Sequence, residues 1–179
     1  MRPRYFFFFV LISLSIVLSA SAQRRDYLTE AEVEIVRNNQ DIDSRIGVLS
    51  RMVDRRFAAI GVDAGGAKPS KKTDEEWGPE PKGTKLELLT DIRHLLEKAI
   101  DDIDSIPGRL PEKMKEQRKG ENLFNNAVRS LARSAGRWRP LLIKEHSLAE
   151  TAGDEKIYGV TAAAIEFCEQ IIEASAKVK

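Results

Sequence analysis

The chain has 179 residues, and its 29 Lys and Arg residues nearly balance its 28 Asp and Glu residues, giving a formal net charge of +1. This balance argues against a general nucleic-acid binder, which needs an excess of basic residues to neutralise phosphates. The only cysteine is Cys168, so an internal disulfide is excluded and packing must stabilise the fold. We expect Cys168 to lie on the apolar face of a helix as a buried, unreactive thiol.

Residues 1–22 have the three parts of a secretory signal peptide. Arg2 and Arg4 give a positive start, Tyr5–Leu18 is apolar, and an Ala-Ser-Ala cleavage motif ends at position 22. We predict cleavage before Gln23 and export to the periplasm or out of the cell, leaving 27 basic and 28 acidic residues. The alternative is an uncleaved membrane anchor, but the apolar run is shorter than the ~20 residues that a spanning helix needs.

Residues 23–62 are predicted to form an N-terminal helical region with a clear start and a clear end. Thr29 and Glu32 fit a capping box, in which each side chain accepts a hydrogen bond from the backbone of the other residue. Gly61 can adopt the left-handed conformation that ends a helix, and Val62 can then cover Phe57 in a Schellman motif.

The apolar residues of this region follow helical spacing with one interruption. The stripe consists of Ile35, Ile42, Ile46, Leu49, Val53, Phe57 and Ile60. Residues 37–40 are all polar, and Asp41 and Asp43 are residues that favour helix starts. The pattern allows one long helix or two helices separated by a break near residues 39–42, and it favours the break.

Residues 63–83 are predicted to form a flexible linker because they are rich in Gly, Pro and Lys and poor in apolar residues. Trp77 is the exception. We expect its ring to fold back onto the domain, and the alternative is an exposed anchor for a partner.

Residues 84–179 are predicted to supply the remaining helices of the same domain. The first begins at a second capping box, Thr84 to Glu87. Its stripe consists of Leu89, Ile92, Leu96, Ala99, Ile103 and Ile106.

Two further helical regions follow. The third spans about residues 112–144, and its stripe consists of Phe124, Val128, Leu131, Ala135, Trp138 and Leu142. Gly136 and Pro140 predict a kink or break near residues 136–140, and residues 145–153 are predicted to form a turn. The last helix spans about residues 154–176, and its inner face consists of Ile157, Val160, Ala164, Cys168 and Ile171. The fold class is therefore an all-α bundle of four to five helices with one flexible linker after the first helical region.

The motifs of familiar catalytic and metal sites are absent from the sequence. The chain has two histidines, and only His94 stands near a carboxylate at helical spacing, three residues after Asp91. A di-iron bundle needs two Glu-x-x-His motifs and two further carboxylates, so this single loose match is weak. We predict no catalytic, cofactor-binding or metal-binding residues, and no cofactor.

Four arginines are the best candidate for a binding surface. Arg129, Arg133 and Arg137 recur every four residues, and Arg139 lies nearby. One interpretation is that they pair with acidic residues of neighbouring helices or are simply solvated. The other is a ridge that binds an anionic surface or polymer.

Several segments resemble a group of uncharacterised exported helical bacterial proteins. These are the signal peptide, the Leu-Thr-Glu-Ala-Glu-Val opening at residues 28–33, and Trp-Gly-Pro at 77–79 before Thr-Lys-Leu-Glu-Leu-Leu at 84–89. The resemblance implies a bacterial origin and an envelope location. It implies no activity and no functional residues.

These features favour an exported, non-enzymatic helical bundle that acts through protein–protein contacts in the cell envelope. Its expected partner is another envelope protein, with no nucleic acid and no transmembrane span after signal cleavage. The alternative is a small-ligand or metal-binding bundle that uses His94 and Asp91. The sequence leaves the oligomeric state open.

Overall fold

The computed structural model describes residues 26–66, 77–106 and 118–178, and the side chains of residues 118–122 are not among the described ones. The predicted signal peptide, the middle of the predicted linker and the beginning of the third region lie outside these ranges. The described residues form five helices and no strand: α1 Glu30–Asn38, α2 Ile42–Ala59, α3 Lys85–Asp104, α4 Arg118–Ala152 and α5 Glu155–Ala176. The predicted all-α class is confirmed.

The first helical region is broken, as the polar interruption favours. The Asn39 side chain donates a hydrogen bond from Nδ2 to the carbonyl oxygen of Ile35 at 2.8 Å, and the Asn39 carbonyl accepts one from Arg45 Nε at 3.0 Å. The Ile35 carbonyl also keeps its helical bond from Asn39 N at 3.1 Å, whereas the Asn39 carbonyl is satisfied by the Arg45 side chain where a continuous helix would supply a backbone donor. Asp41 occupies the N-cap position of α2, although its side chain accepts no capping hydrogen bond.

Both predicted capping boxes are present. Glu32 N donates to Thr29 Oγ1 at 3.2 Å, and Thr29 N donates to Glu32 Oε2 at 3.0 Å. The same exchange joins Thr84 and Glu87 at the start of α3, at 3.3 and 2.7 Å. Each box satisfies backbone donors that the first turn of a helix leaves without an internal partner.

The predicted Schellman ending of α2 is also confirmed. Val62 N donates to the Phe57 carbonyl at 2.8 Å, and Gly61 N donates to the Ala58 carbonyl at 2.9 Å. Gly61 has a φ of +79°, which a residue with a Cβ adopts only at a cost.

Helix α4 contradicts two predictions. It runs unbroken through Pro140, so of the predicted kink or break near residues 136–140 the break is wrong, and it continues to Ala152, so most of the predicted turn at 145–153 is helix. Pro140 and Gly136 are both exposed, so the carbonyl of Gly136 that lacks its helical donor lies on the solvent side. The buried face continues past Pro140 through Leu142, Glu145 and Ala149.

Helices α2 to α5 form a four-membered bundle, and α1 packs on α2. Helix α2 packs against α3 and α4, and α5 packs against the same two helices, so α2 and α5 occupy opposite corners. Most residues of the predicted stripes lie in or against the core, whose members include Ile46, Leu49, Phe57, Leu89, Ile92, Leu96, Leu131, Trp138 and Leu142. Trp77 joins this core at 3% exposure, which confirms that its ring folds back onto the domain.

Candidate functional site

A buried ionic cluster joins the first three helices. Arg56 of α2 is 1% exposed, and its guanidinium forms a two-pronged pair with Glu32 of α1, which is fully buried. Arg56 Nη2 also donates to the Tyr27 carbonyl at 2.6 Å, and Arg56 Nε lies 3.7 Å from Asp91 Oδ2 of α3. One arginine therefore links α1, α2 and α3 through groups that have almost no access to water.

Glu32 has two structural roles. Its carboxylate completes the capping box at the start of α1 while it neutralises Arg56 in the core. A buried ion pair recovers its desolvation cost only with good geometry and further hydrogen bonds, and the bidentate pairing supplies both. The capping pattern in the sequence points to Glu32, but it reveals only the first of these roles.

Arg55, the neighbour of Arg56, fastens the chain that precedes α3. Its guanidinium donates to the carbonyls of Trp77, Gly78 and Pro79 at 2.9, 3.2 and 2.6 Å. The Cζ atoms of Arg51 and Arg55 lie 5.2 and 5.6 Å from the centroid of the Trp77 ring, within the range of cation–π attraction. The described end of the predicted linker is therefore fixed to the outer side of α2.

A second polar contact joins α2 to α4. Trp138 Nε1 donates to Asp54 Oδ1 at 2.7 Å, and Arg137 Nη2 lies 3.6 Å from Asp54 Oδ2. Burial raises the pKa of Asp54, although the Trp138 hydrogen bond and the Arg137 charge both act to lower it. Gly66 packs directly on this carboxylate. A Cβ atom at position 66 would lie 1.9 Å from Asp54 Oδ2, so a larger residue would force the carboxylate to move.

Of the four arginines of the predicted ridge, two bind groups within the fold and two are exposed to solvent. Arg137 donates to the Ala64 carbonyl at 2.6 Å and faces Asp54, and Arg139 donates twice to Glu169 Oε1, at 2.9 and 2.6 Å. These two arginines are occupied in joining helices and loops. Arg129 and Arg133 are exposed, and within the described part of the chain neither forms an ion pair.

The two histidines lie in different environments. His94 is half-buried beside Tyr27, with the ring centroids 5.3 Å apart, whereas Asp91 is buried next to Arg56. His146 stacks on Tyr158 at 4.0 Å, and its Nδ1 lies 3.0 Å from Thr161 Oγ1. Among the described residues, no group of three His, Cys, Asp or Glu side chains is arranged to hold a metal ion.

Cys168 is buried, as its position on the inner face of the last helix predicts. Burial raises the pKa of its thiol to about 12. The reactive thiolate is therefore scarce at neutral pH, which fits a packing role for the side chain.

An open depression with a volume of about 330 Å³ lies where α2 ends and α3 begins. It is lined by Ala59, Glu80, Pro81, Lys82, Gly83 and Leu88. The lining of the depression includes one acidic residue, Glu80, and one basic residue, Lys82. The depression therefore has no clear preference for an anion or a cation.

Comparison of the chain with protein-family models, curated proteins and solved structures finds no match. No helix within the described ranges is both long enough and apolar enough to cross a membrane.

Proposed function

We propose that this chain is an exported, non-enzymatic helical-bundle protein that acts through protein contacts in the cell envelope. The observation that carries the proposal is the location of its exposed large apolar side chains. In the described part of the chain these are Ile143, Leu148, Tyr158 and Ile172, and all four belong to the α4–α5 hairpin. A contiguous exposed apolar patch is typical of a protein interface, and the hairpin is the part of the described chain whose large apolar side chains are exposed.

The roles of the interior polar groups support this proposal. Glu32, Arg56 and Asp91 hold α1, α2 and α3 together, and Asp54 holds α4 through Trp138. These carboxylates are the groups best suited by burial to acid–base or metal chemistry. Their contacts assign them to joining helices.

Export rests on the sequence of residues 1–22. The positive start, the apolar run and the Ala-Ser-Ala motif support secretion, and so does the resemblance to exported helical bacterial proteins. Cleavage before Gln23 would leave a chain that acts outside the cytoplasm.

The test is affinity capture of the protein from its native envelope fraction, combined with the intact mass of the purified protein. We expect an N-terminus at Gln23 and an exported protein partner that is lost from the Leu148→Ser/Tyr158→Ser variant. The matched control is Lys156→Ser/Gln170→Ser, which changes exposed polar residues of the same hairpin and should retain the partner.

Three outcomes would contradict the proposal. The first is a cytoplasmic protein that begins at Met1. The second is capture that does not depend on Leu148 and Tyr158. The third is a stoichiometric metal ion or small ligand in the purified protein, which would favour the ligand-binding alternative.

A further inference from the structure

The solvent face of α4 has a strip of exposed residues whose charged members are all basic, and the exposed Glu150 lies beside only its C-terminal end. Its positions recur at steps of three and four, and each is exposed: Asn126, Arg129, Arg133, Gly136, Pro140, Lys144, Ser147 and Thr151. The sequence has no Asp or Glu from residue 122 to residue 144. We call the section from Arg129 to Lys144 the basic strip.

Three cations of the basic strip point to solvent. Arg129 and Arg133 lie one helical turn apart, and Lys144 lies about 22 Å from Arg129 at 1.5 Å per residue. Between Arg133 and Lys144 the strip has low relief, because Gly136 has no side chain and Pro140 has only its ring. Arg137 and Arg139 are not part of this free charge, since their guanidiniums already bind Ala64 and Glu169.

We propose that the basic strip docks the protein on an anionic lipid surface. The strip is the outer side of a single uninterrupted helix and has no walls, so it offers no groove for a peptide. A flat surface can touch Arg129, Arg133 and Lys144 at once. One guanidinium group can donate two parallel hydrogen bonds to the oxygens of one phosphate group. Each basic residue near an anionic membrane adds to the attraction between the protein and the membrane.

Two apolar side chains complete this surface. Ile143 and Leu148 flank Lys144 on the two sides of the strip, and they are 38% and 51% exposed. Aliphatic side chains beside cations are typical of helices that lie at the headgroup level of a bilayer. The proposed lipid contact thus combines charge attraction with shallow apolar insertion.

The negative charge on α5 defines how the protein would be oriented on an anionic surface. Its exposed residues include Glu166 and Glu173, which are three residues before and four residues after Glu169 and so share the helix face that pairs with Arg139 of α4. An anionic surface would attract the basic strip and repel this face of α5. The inference goes beyond the proposed function and does not depend on it, because lipid docking needs no protein partner.

The test is co-sedimentation of the chain that begins at Gln23 with vesicles of phosphatidylglycerol or of phosphatidylcholine. This form is used because the apolar run Tyr5–Leu18 would itself enter a bilayer, and a cooperative melt confirms that it is folded. We expect binding to phosphatidylglycerol that weakens as salt is added, and weak binding to phosphatidylcholine. The Arg129→Gln/Arg133→Gln/Lys144→Gln variant should bind about a hundredfold less tightly, since each basic residue contributes roughly a factor of five.

The matched control is Arg37→Gln/Lys156→Gln/Lys177→Gln, which removes the same charge from exposed positions outside α4 and should bind like the unaltered chain. An Arg129→Lys/Arg133→Lys variant keeps the charge and should retain most of the affinity. Equal binding to both lipids, or equal losses in the two glutamine variants, would overturn the proposal. Binding to poly-glutamate or an anionic polysaccharide without binding to phosphatidylglycerol would overturn it as well.

Discussion

Glu32 shows how one side chain connects local structure to tertiary structure. It caps α1 through Thr29 and neutralises Arg56 of α2, although both it and Arg56 are almost completely buried. Removing one partner of a buried ion pair leaves the other charge without compensation, which costs far more than the loss of a surface pair.

We predict that Glu32→Gln destabilises the fold by about 3 kcal/mol, because Arg56 stays buried, loses its bidentate counter-ion and keeps only Asp91, at 3.7 Å. Glutamine still fits the capping box, so the loss reports on the ion pair. Denaturant unfolding measures it. The control is Glu34→Gln, which removes one partner of an exposed pair with Arg37 and should cost no more than about 0.5 kcal/mol. Equal effects of the two substitutions would show that the buried pair is not important.

Asp54 gives a pH-dependent prediction. Since its pKa is raised by burial, the folded state holds the carboxyl proton more tightly than the unfolded state does. Ionisation of Asp54 therefore lowers stability as pH rises from its usual pKa of 3.8 through its raised folded value. We expect Asp54→Asn, whose amide oxygen can still accept the Trp138 hydrogen bond, to gain stability relative to the unaltered chain over that range.

Denaturant unfolding of both proteins at about pH 3 and about pH 7 measures this difference. The other carboxylates contribute equally to the stability of the two proteins. A stability difference between the two proteins that changes with pH therefore reports on Asp54. A difference that is constant, or that falls as pH rises, would contradict the assignment.

At the scale of elements, α4 shows the limit of local rules. Proline inside a helix removes one hydrogen bond and predicts a break, yet α4 continues through Pro140 to Ala152. Packing along Leu131, Trp138, Leu142 and Ala149 holds both halves of the helix against the bundle. Helix propensity is a weak prior that tertiary contacts override.

We predict that Pro140→Ala stabilises the protein by about 1–3 kcal/mol, because alanine restores the hydrogen bond to the Gly136 carbonyl. The proline ring is exposed, so little packing is lost. Thermal and denaturant unfolding measure the gain. The control is Lys144→Ala, an exposed change one turn later that should have little effect. A loss of stability in Pro140→Ala would show that the proline is required for the path of α4.

The sequence predicted most of the fold because its helices are amphipathic and capped. Most residues of the stripes lie in or against the core, and both capping boxes, the Schellman ending and the break after Asn38 appear where they were expected. Such signals are local, so a single sequence contains them.

The sequence could not predict which charged groups would meet. Arg56 is 24 residues from Glu32 and Arg139 is 30 residues from Glu169, so their pairing depends on how the helices pack. For the same reason, the predicted ridge included Arg137 and Arg139, which the structure shows to be engaged within the fold.

At the scale of the whole molecule, the buried charges and the exposed charges of the basic strip lie in different parts of the bundle. Buried charges join α1 to α3, and α4 is joined to α2 through Asp54. The exposed charges of the basic strip and, among the described residues, the exposed large apolar side chains lie on the α4–α5 hairpin. We therefore assign stability to the first set and external contacts to the second.

The most direct test of this division is site-specific photo-cross-linking in intact cells. A photoreactive residue is placed at Leu148 or Tyr158 on the hairpin, and at Glu34 on the exposed side of α1 as the control. We expect discrete adducts with an exported protein from the two hairpin positions and none from position 34. The absence of adducts from the hairpin, or equal adducts from position 34, would contradict it.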